Sequence, residues 1–185
     1  RTVVDIARTS VFRYALGYVD GLAREYGVER EELRAYAQAN CRGLHGIARA
    51  FDVFEHMDGR SDNGGESEAR AAMILAGVAA PELQVEITRP GNASYYLADY
   101  GWQMPNGSWM LGELHGLGKF EDDTQNDPEH TAAKTYRAAL VRDANLRAMG
   151  HNVIHFKLSD TYDVKAFGSM MRGYGIPTTK PYAGS

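Results

Sequence analysis

The chain is expected to fold as mixed α/β: an N-terminal helical unit followed by a core of element order αβββαβ built on a mixed sheet. Three observations predict this. Apolar residues recur at helical spacing through the first third of the sequence. Three strand-like runs then succeed one another, separated by Pro90-Gly91-Asn92 and Pro105-Asn106-Gly107. After them a helical pattern over 132–149 stops at Gly150, and a short apolar strand over 151–157 follows, an element order that implies a mixed sheet flanked by helices.

Taken in order, 2–26 reads as one long amphipathic helix, with Val4, Ala7, Val11, Ala15, Val19, Leu22 and Tyr26 on its apolar stripe. Thr2 and Asp5 have capping-box spacing at its start. Further helices are expected over 29–39 and 43–56. Asp58-Gly59-Arg60-Ser61-Asp62-Asn63-Gly64-Gly65 then breaks the pattern as a polar linker. A helix over 66–76 ends at Gly77, strands follow over 83–88, 95–103 and 109–114, and a last helix covers 164–172. The expected domains are a helical unit over 1–60, an α/β domain over 61–173 and a flexible tail over 174–185, whose Pro177, Pro181 and Gly184 disfavour regular structure. The stripe from Val4 to Tyr26 has to be buried against the rest of the chain.

Composition narrows the class. Apolar residues make up 44% of the 185, no apolar run approaches a membrane span and the N-terminus has no signal-peptide pattern, so a cytoplasmic protein with no membrane partner is expected. The lone Cys41 cannot form an internal disulfide and has no metal-ligand spacing. A net charge of −4 argues against binding nucleic acid by bulk electrostatics, but the charge is uneven. Residues 61–129 hold three basic and twelve acidic side chains; residues 130–185 hold eight basic and three acidic. An acidic middle that attracts a cation beside a basic segment that cradles phosphates suits a nuclease.

The chemistry concentrates around Asn106-Gly107. This hairpin signal sets Asp99 and Glu113 on neighbouring strands, with carboxylate oxygens expected on the order of 3–5 Å apart across a shared cation. Two acids in that relation suit Mg²⁺, which takes one or two carboxylates together with waters and phosphate oxygens. His115 lies two residues beyond Glu113 and so emerges on the same strand face, as a metal ligand or a general base.

Several segments together are similar to a known family. They are Arg1-Thr2-Val3-Val4-Asp5-Ile6-Ala7-Arg8, Gly65-Glu66-Ser67, Pro81-Glu82-Leu83-Gln84-Val85-Glu86-Ile87, Asp99-Tyr100-Gly101-Trp102, Glu113-x-x-Gly116-x-x-Lys119-Phe120 and Arg142-Asp143-x-x-Leu146-Arg147-x-x-Gly150. In order and spacing they resemble actinobacterial AbiEi-like antitoxins or regulators, whose C-terminal domain is similar to the very-short-patch-repair endonucleases, a branch of the PD-(D/E)XK restriction-endonuclease-like fold. The resemblance implies a metal site of Glu66, Asp99 and Glu113 and places Lys119 at the scissile phosphate. It also implies DNA as partner. The chain departs from the family where His115 stands in place of an aspartate. Imidazole is a poorer ligand for Mg²⁺ and a better one for Mn²⁺ or Zn²⁺. The second departure is the winged helix: the first residues resemble the segment that follows one, which fits either a winged-helix domain ahead of Arg1 or a protein that never had one, and a homo-oligomer is the other partner expected.

The remaining candidates have plainer readings. Glu66 also fits an ordinary acid in a first helical turn, and Glu68 is the weaker alternative to it. Glu121-Asp122-Asp123 and Asp127 read as solvated surface. His130, His151 and His155 show no zinc spacing, and Trp102 and Trp109 read as core or cross-strand residues. The expected function is metal-dependent hydrolysis of DNA phosphodiesters with Mg²⁺ or Mn²⁺, carried by Asp99, Glu113, His115 and Lys119 with Glu66. The alternative is a catalytically silent, antitoxin-like module that binds nucleic acid or protein through the same fold.

Overall fold

The structure, a computed structural model, describes residues 1–89, 91, 94–115, 128–180 and 182, giving the backbone alone over 128–135. Lys119, Glu121-Asp122-Asp123 and Asp127 lie outside the described residues, as does the side chain of His130. The described chain runs α1 (Thr2–Thr9), α2 (Phe12–Tyr26), α3 (Arg30–Asn40), α4 (Ile47–Glu55), α5 (Gly64–Leu75), β1 (Glu82–Thr88), β2 (Tyr95–Gln103), β3 (Trp109–His115), α6 (Pro128–Ala148), β4 (Asn152–Lys157), a 3-10 turn (Leu158–Thr161) and α7 (Val164–Gly173). This is the mixed α/β architecture expected, with helices first and a four-stranded mixed sheet after them.

The helix expected over 2–26 is in fact two. Ser10 and Val11 are both extended, at ψ 161° and 146°, and separate α1 from α2. The break turns the apolar face, so that Val4, Ala7, Phe12, Ala15, Leu16 and Val19 all enter one core while Val11 and Tyr26 stay exposed. Asp5 does not close a capping box; its carboxylate accepts from the Nε groups of Arg1 and Arg8. Cys41 is wholly buried in the same core.

Two compact units emerge: Arg1–Ala80 with Thr161–Ser185, and Pro81–Asp160. The division differs from the expected boundary near residue 60, because α5 belongs with the helices before it. Arg70 of α5 donates to Asp20 of α2 at 2.7 Å and to the His56 carbonyl at 2.7 Å, and Ala71 and Ile74 join the helical core. Gly77, at φ 70°, stops α5 in a Schellman turn closed by the Val78 N–H on the Met73 carbonyl. Residues 174–180, the described part of the expected flexible tail together with Tyr182, are tied to the first unit. Ile176 is buried, Val78 bridges Thr178, and backbone bonds tie Ala79 to Pro177 and Thr179 to Gly77.

Within this first unit the His56 ring packs edge-on against Phe12 and Tyr182, with centroids at 5.5 and 5.8 Å. Burial pushes its pKa below the usual 6.5, and the Arg70 charge adds to the effect. The folded protein therefore resists protonating His56 while the unfolded chain does not. The stability this contributes is present above about pH 6.5 and is lost as pH falls through the depressed value. His56→Phe, which keeps the ring packing, is expected to flatten the fall in melting temperature between about pH 6.5 and 5. An acid limb as steep as that of the parent would show that His56 does not carry it.

The second unit holds the sheet, in strand order β1-β2-β3-β4. β1 with β2 and β2 with β3 are antiparallel, and β3 with β4 is parallel through the α6 crossover. The loop joining β2 to β3 is held by the Met104 N–H on the Ser108 carbonyl at 2.8 Å, with Gly107 at φ 81°. On one face Val85, Ile87, Tyr96, Ala98, Leu111 and Val153 pack with Leu146 of α6. Tyr100, which pairs with Gly112 and so faces away from Leu111, stacks on Phe156 with centroids at 5.8 Å.

Gly101 lies where no side chain fits. A Cβ there would sit 2.7 Å from Val85 Cγ2 and 3.0 Å from the Trp109 ring. Val85 is β-branched and stiff, so Gly101→Ala is expected to cost about 1–3 kcal/mol, the usual penalty for overpacking. Chemical denaturation reads this directly, and a loss under about 0.5 kcal/mol would mean that the strands yield at no cost.

Candidate functional site

Asp99 and Glu113 occupy a gap in the sheet. β1 and β2 pair at Leu83↔Tyr100 and again at Val85↔Ala98, skipping Gln84 and Asp99, and β2 and β3 pair only as far as Tyr100↔Gly112. Gln84 has φ 53°, the one positive value at a non-glycine among the described residues. A left-handed residue inside a strand costs roughly 1–2 kcal/mol and reverses the side-chain alternation. On the neighbouring β2, Ala98 and Tyr100 also face opposite sides of the sheet although they are two residues apart. Asp99 sits at that crossing. Released from the ladder, its Oδ2 accepts the Leu114 N–H at 2.8 Å in place of a backbone carbonyl.

Past this point β2 and β3 are unpaired, and Arg142 of α6 reaches in between. Its Nη2 donates to the Leu97 carbonyl and to Glu113 Oε1. Both carboxylates are buried, Asp99 at 9% exposure and Glu113 at 8%. Burial holds the Glu113 pKa above the ordinary carboxylate value; the Asp99 charge raises it further, while Arg142 and His155 draw it down. The parallel register sets Glu113 beside His155 and His115 beside Lys157. The His115 and His155 rings stack with centroids at 4.8 Å. His155 Nε2 lies 2.7 Å from Oδ2 of the buried Asp143, which fixes that ring.

Of the residues expected in the site, the structure brings Asp99, in the middle of β2, against the C-terminal end of β3 that carries Glu113 and His115. It adds Arg142, Asp143 and His155, which sequence reasoning had not assigned a role. Among the described residues no three His, Cys, Asp or Glu side chains gather into a group able to hold a metal ion. Glu66 belongs to the first unit. Its carboxylate accepts from the Asp62 N–H at 2.7 Å and Asn63 Nδ2 at 2.8 Å, while Asn63 Oδ1 accepts the Glu66 N–H: a capping arrangement at the start of α5. His151 accepts the Trp109 N–H at 3.2 Å, Trp102 is core and Trp109 packs over Gly101, so all three support the sheet.

Comparison with known proteins adds relatives without a described activity. Two Mycobacterium tuberculosis proteins, MT2308 of strain CDC 1551 / Oshkosh and Rv2248 of strain ATCC 25618 / H37Rv, both named as uncharacterized, are each 36% identical to the chain over 101 residues. The matched segment is 55% of this chain and 36% of each relative, so the chain spans little more than a third of their length. No family model matches, and no solved structure does. Among the described residues no helix is long and apolar enough to cross a membrane.

Proposed function

We propose that the second unit is a DNA-directed phosphodiester hydrolase of the restriction-endonuclease-like, very-short-patch-repair-like class, using Mg²⁺ or Mn²⁺ in the cytoplasm. The observation that carries this reading is the pair of buried carboxylates, Asp99 and Glu113, where β2 and β3 part. Burying two acids together is costly unless a cation balances them. Hard carboxylate oxygens with an imidazole nearby suit Mn²⁺ or Mg²⁺. When bound, such an ion supplies a water of lowered pKa and polarises the phosphodiester. Asp99 and Glu113 would hold it, and His115 takes a proton. His155, fixed by Asp143, keeps the His115 ring in place through the stack. Arg142 balances Glu113 in the absence of the ion and supports a phosphate in its presence.

The same guanidinium supports a second reading, in which Arg142 is the permanent counter-charge and the unit binds nucleic acid or a partner without cutting, as an antitoxin-like regulator would. Calorimetric titration with Mn²⁺ separates the two. The hydrolase reading expects saturable binding to the parent protein, abolished in Asp99→Asn and retained or tightened in Arg142→Met. No heat from the parent, with binding that appears only once Arg142 is replaced, would establish the silent module instead.

A further inference from the structure

The first unit contains a half-open cleft of about 500 Å³, within the size range of small-molecule sites. It forms where α2 begins. Phe12, Leu75 and Val164 supply apolar wall, and the rings of Tyr14, Tyr162 and Tyr182 face it. Phe12 and Tyr182 stack with centroids 4.3 Å apart, and the Tyr182 backbone N–H is tied to the Ile74 carbonyl at 3.3 Å, so this part of the wall is fixed. Tyr14 and Tyr162, by contrast, are 54% and 65% exposed, which leaves two ring faces to solvent.

The charge in the cleft has one sign. Arg13 and Arg49 line it and no acid does, although the Asp52 carboxylate accepts from the hydroxyl of the lining Tyr182 at 3.4 Å. Arg13 is pinned by donating Nη1 to Thr161 Oγ1 at 3.0 Å and Nη2 to the Thr161 carbonyl, and its guanidinium lies 5.3 Å from the centre of the Tyr162 ring. Among the described residues no carboxylate reaches ion-pair distance of it, whereas Arg1, Arg8, Arg24, Arg30, Arg34, Arg60 and Arg70 of the same unit all have acid partners. α2 also starts here without a side-chain cap, so the positive end of its dipole opens on the same edge.

We propose that this cleft binds a nucleotide, with the planar base against the tyrosine rings and the phosphate on Arg13 at the start of α2. The ligand chemistry is a flat aromatic ring joined to an anionic group. A ring gains stacking on Tyr14 and Tyr162, and a phosphate accepts from a guanidinium already held in place by uncharged oxygens. Apolar surface alone would take any greasy ligand; the unpaired Arg13 selects an anionic one. The inference rests on the first unit only and stands whether or not the second unit cuts DNA.

Titration calorimetry on the full chain with deoxyadenosine monophosphate tests it, with deoxyadenosine and inorganic phosphate as the two half-ligands. Saturable binding of the monophosphate is expected, each half-ligand binding at least about tenfold more weakly. Arg13→Gln and Tyr162→Ala should each weaken it about tenfold. Tyr162 is exposed, so Tyr162→Ala keeps the parent's melting temperature and remains informative even if Arg13→Gln does not fold. A short oligodeoxynucleotide ending in a 5′-phosphoadenylate that competes at equal affinity would identify a strand end as the source. Failure to compete would identify the free nucleotide. No saturable heat up to millimolar monophosphate, or binding that Tyr162→Ala leaves unchanged, overturns the proposal.

Discussion

Replacing Asp20 by alanine is expected to destabilise the helical unit by about 3–5 kcal/mol, the usual cost of removing one partner from a buried ion pair. Asp20 has no exposed surface. Its Oδ2 accepts from Arg70 Nη2 at 2.7 Å, and its Oδ1 accepts the Asp58 N–H at 2.8 Å. Alanine leaves the Arg70 guanidinium, 6% exposed, with only the His56 carbonyl, and leaves the Asp58 N–H unbonded. For a chain of this length the loss corresponds to a fall of about 6–20 °C in the melting transition of that unit. The double replacement Asp20→Leu with Arg70→Met should recover most of it, because an apolar pair of similar volume avoids the desolvation both charges suffer. Burial outweighs Arg70 and raises the Asp20 pKa above 3.8, so the folded state holds that proton more tightly than the unfolded chain. The proton-linked part of its contribution is therefore present at low pH and lost as pH rises through the raised value, whereas the loss in Asp20→Ala comes from the Arg70 guanidinium left without its partner. A single-variant loss under about 1 kcal/mol would mean that the pair is not the clamp joining α2 to α5.

That pair also shows where reading the fold from sequence stopped. Local chemistry located the strands because alternation and turn residues act within a few positions: 95–103 coincides with β2, and Pro105-Asn106-Gly107 forms the loop after it. Asp20 and Arg70 are fifty residues apart, and nothing in either neighbourhood signals that they meet. Asn63, Gly64 and Gly65, which read as a linker, are instead the cap and first turn of α5, and α5 packs back onto α2. The break at Ser10-Val11 was hidden for a related reason. The apolar period continues across it, and only the packed core decides that the helix must turn.

The site was legible in its acids and not in its counter-charges. Asp99 and Glu113 stand out because carboxylates are poor strand formers and a turn joins their strands, although the ladder ends at Tyr100↔Gly112, one residue short of pairing them. His155 looked like an ordinary strand residue until the parallel register of β3 and β4 set it beside Glu113, a consequence of the α6 crossover that no local pattern encodes. Arg142 and Asp143 lie within the Arg142-Asp143-x-x-Leu146-Arg147 motif, but a motif does not say that one side chain reaches Glu113 and the other a histidine twelve residues on. Gln84 carried no sequence warning at all, since positive φ is the province of glycine and asparagine.

Activity depends most on His115 if the second unit cuts DNA. His115→Ala is expected to lower Mn²⁺-dependent cleavage by about 10²-fold or more, in the range of general-base losses. Folding should be untouched, because His115 lies exposed at the end of β3. A His115 that only packs would leave the pH profile of cleavage unchanged. One that takes a proton imposes an ascending limb near neutral pH, which the alanine variant loses. His115→Asp restores a hard oxygen donor beside Glu113 and should keep or raise cleavage with Mg²⁺. His155→Ala removes the ring stacked on His115 and frees Asp143, so it should reduce cleavage by less than His115→Ala while shifting the same limb. A parent protein that cuts no DNA with any divalent ion, together with an equally inert His115→Asp variant, would leave the carboxylate pair to Arg142 and make the second unit a binding module.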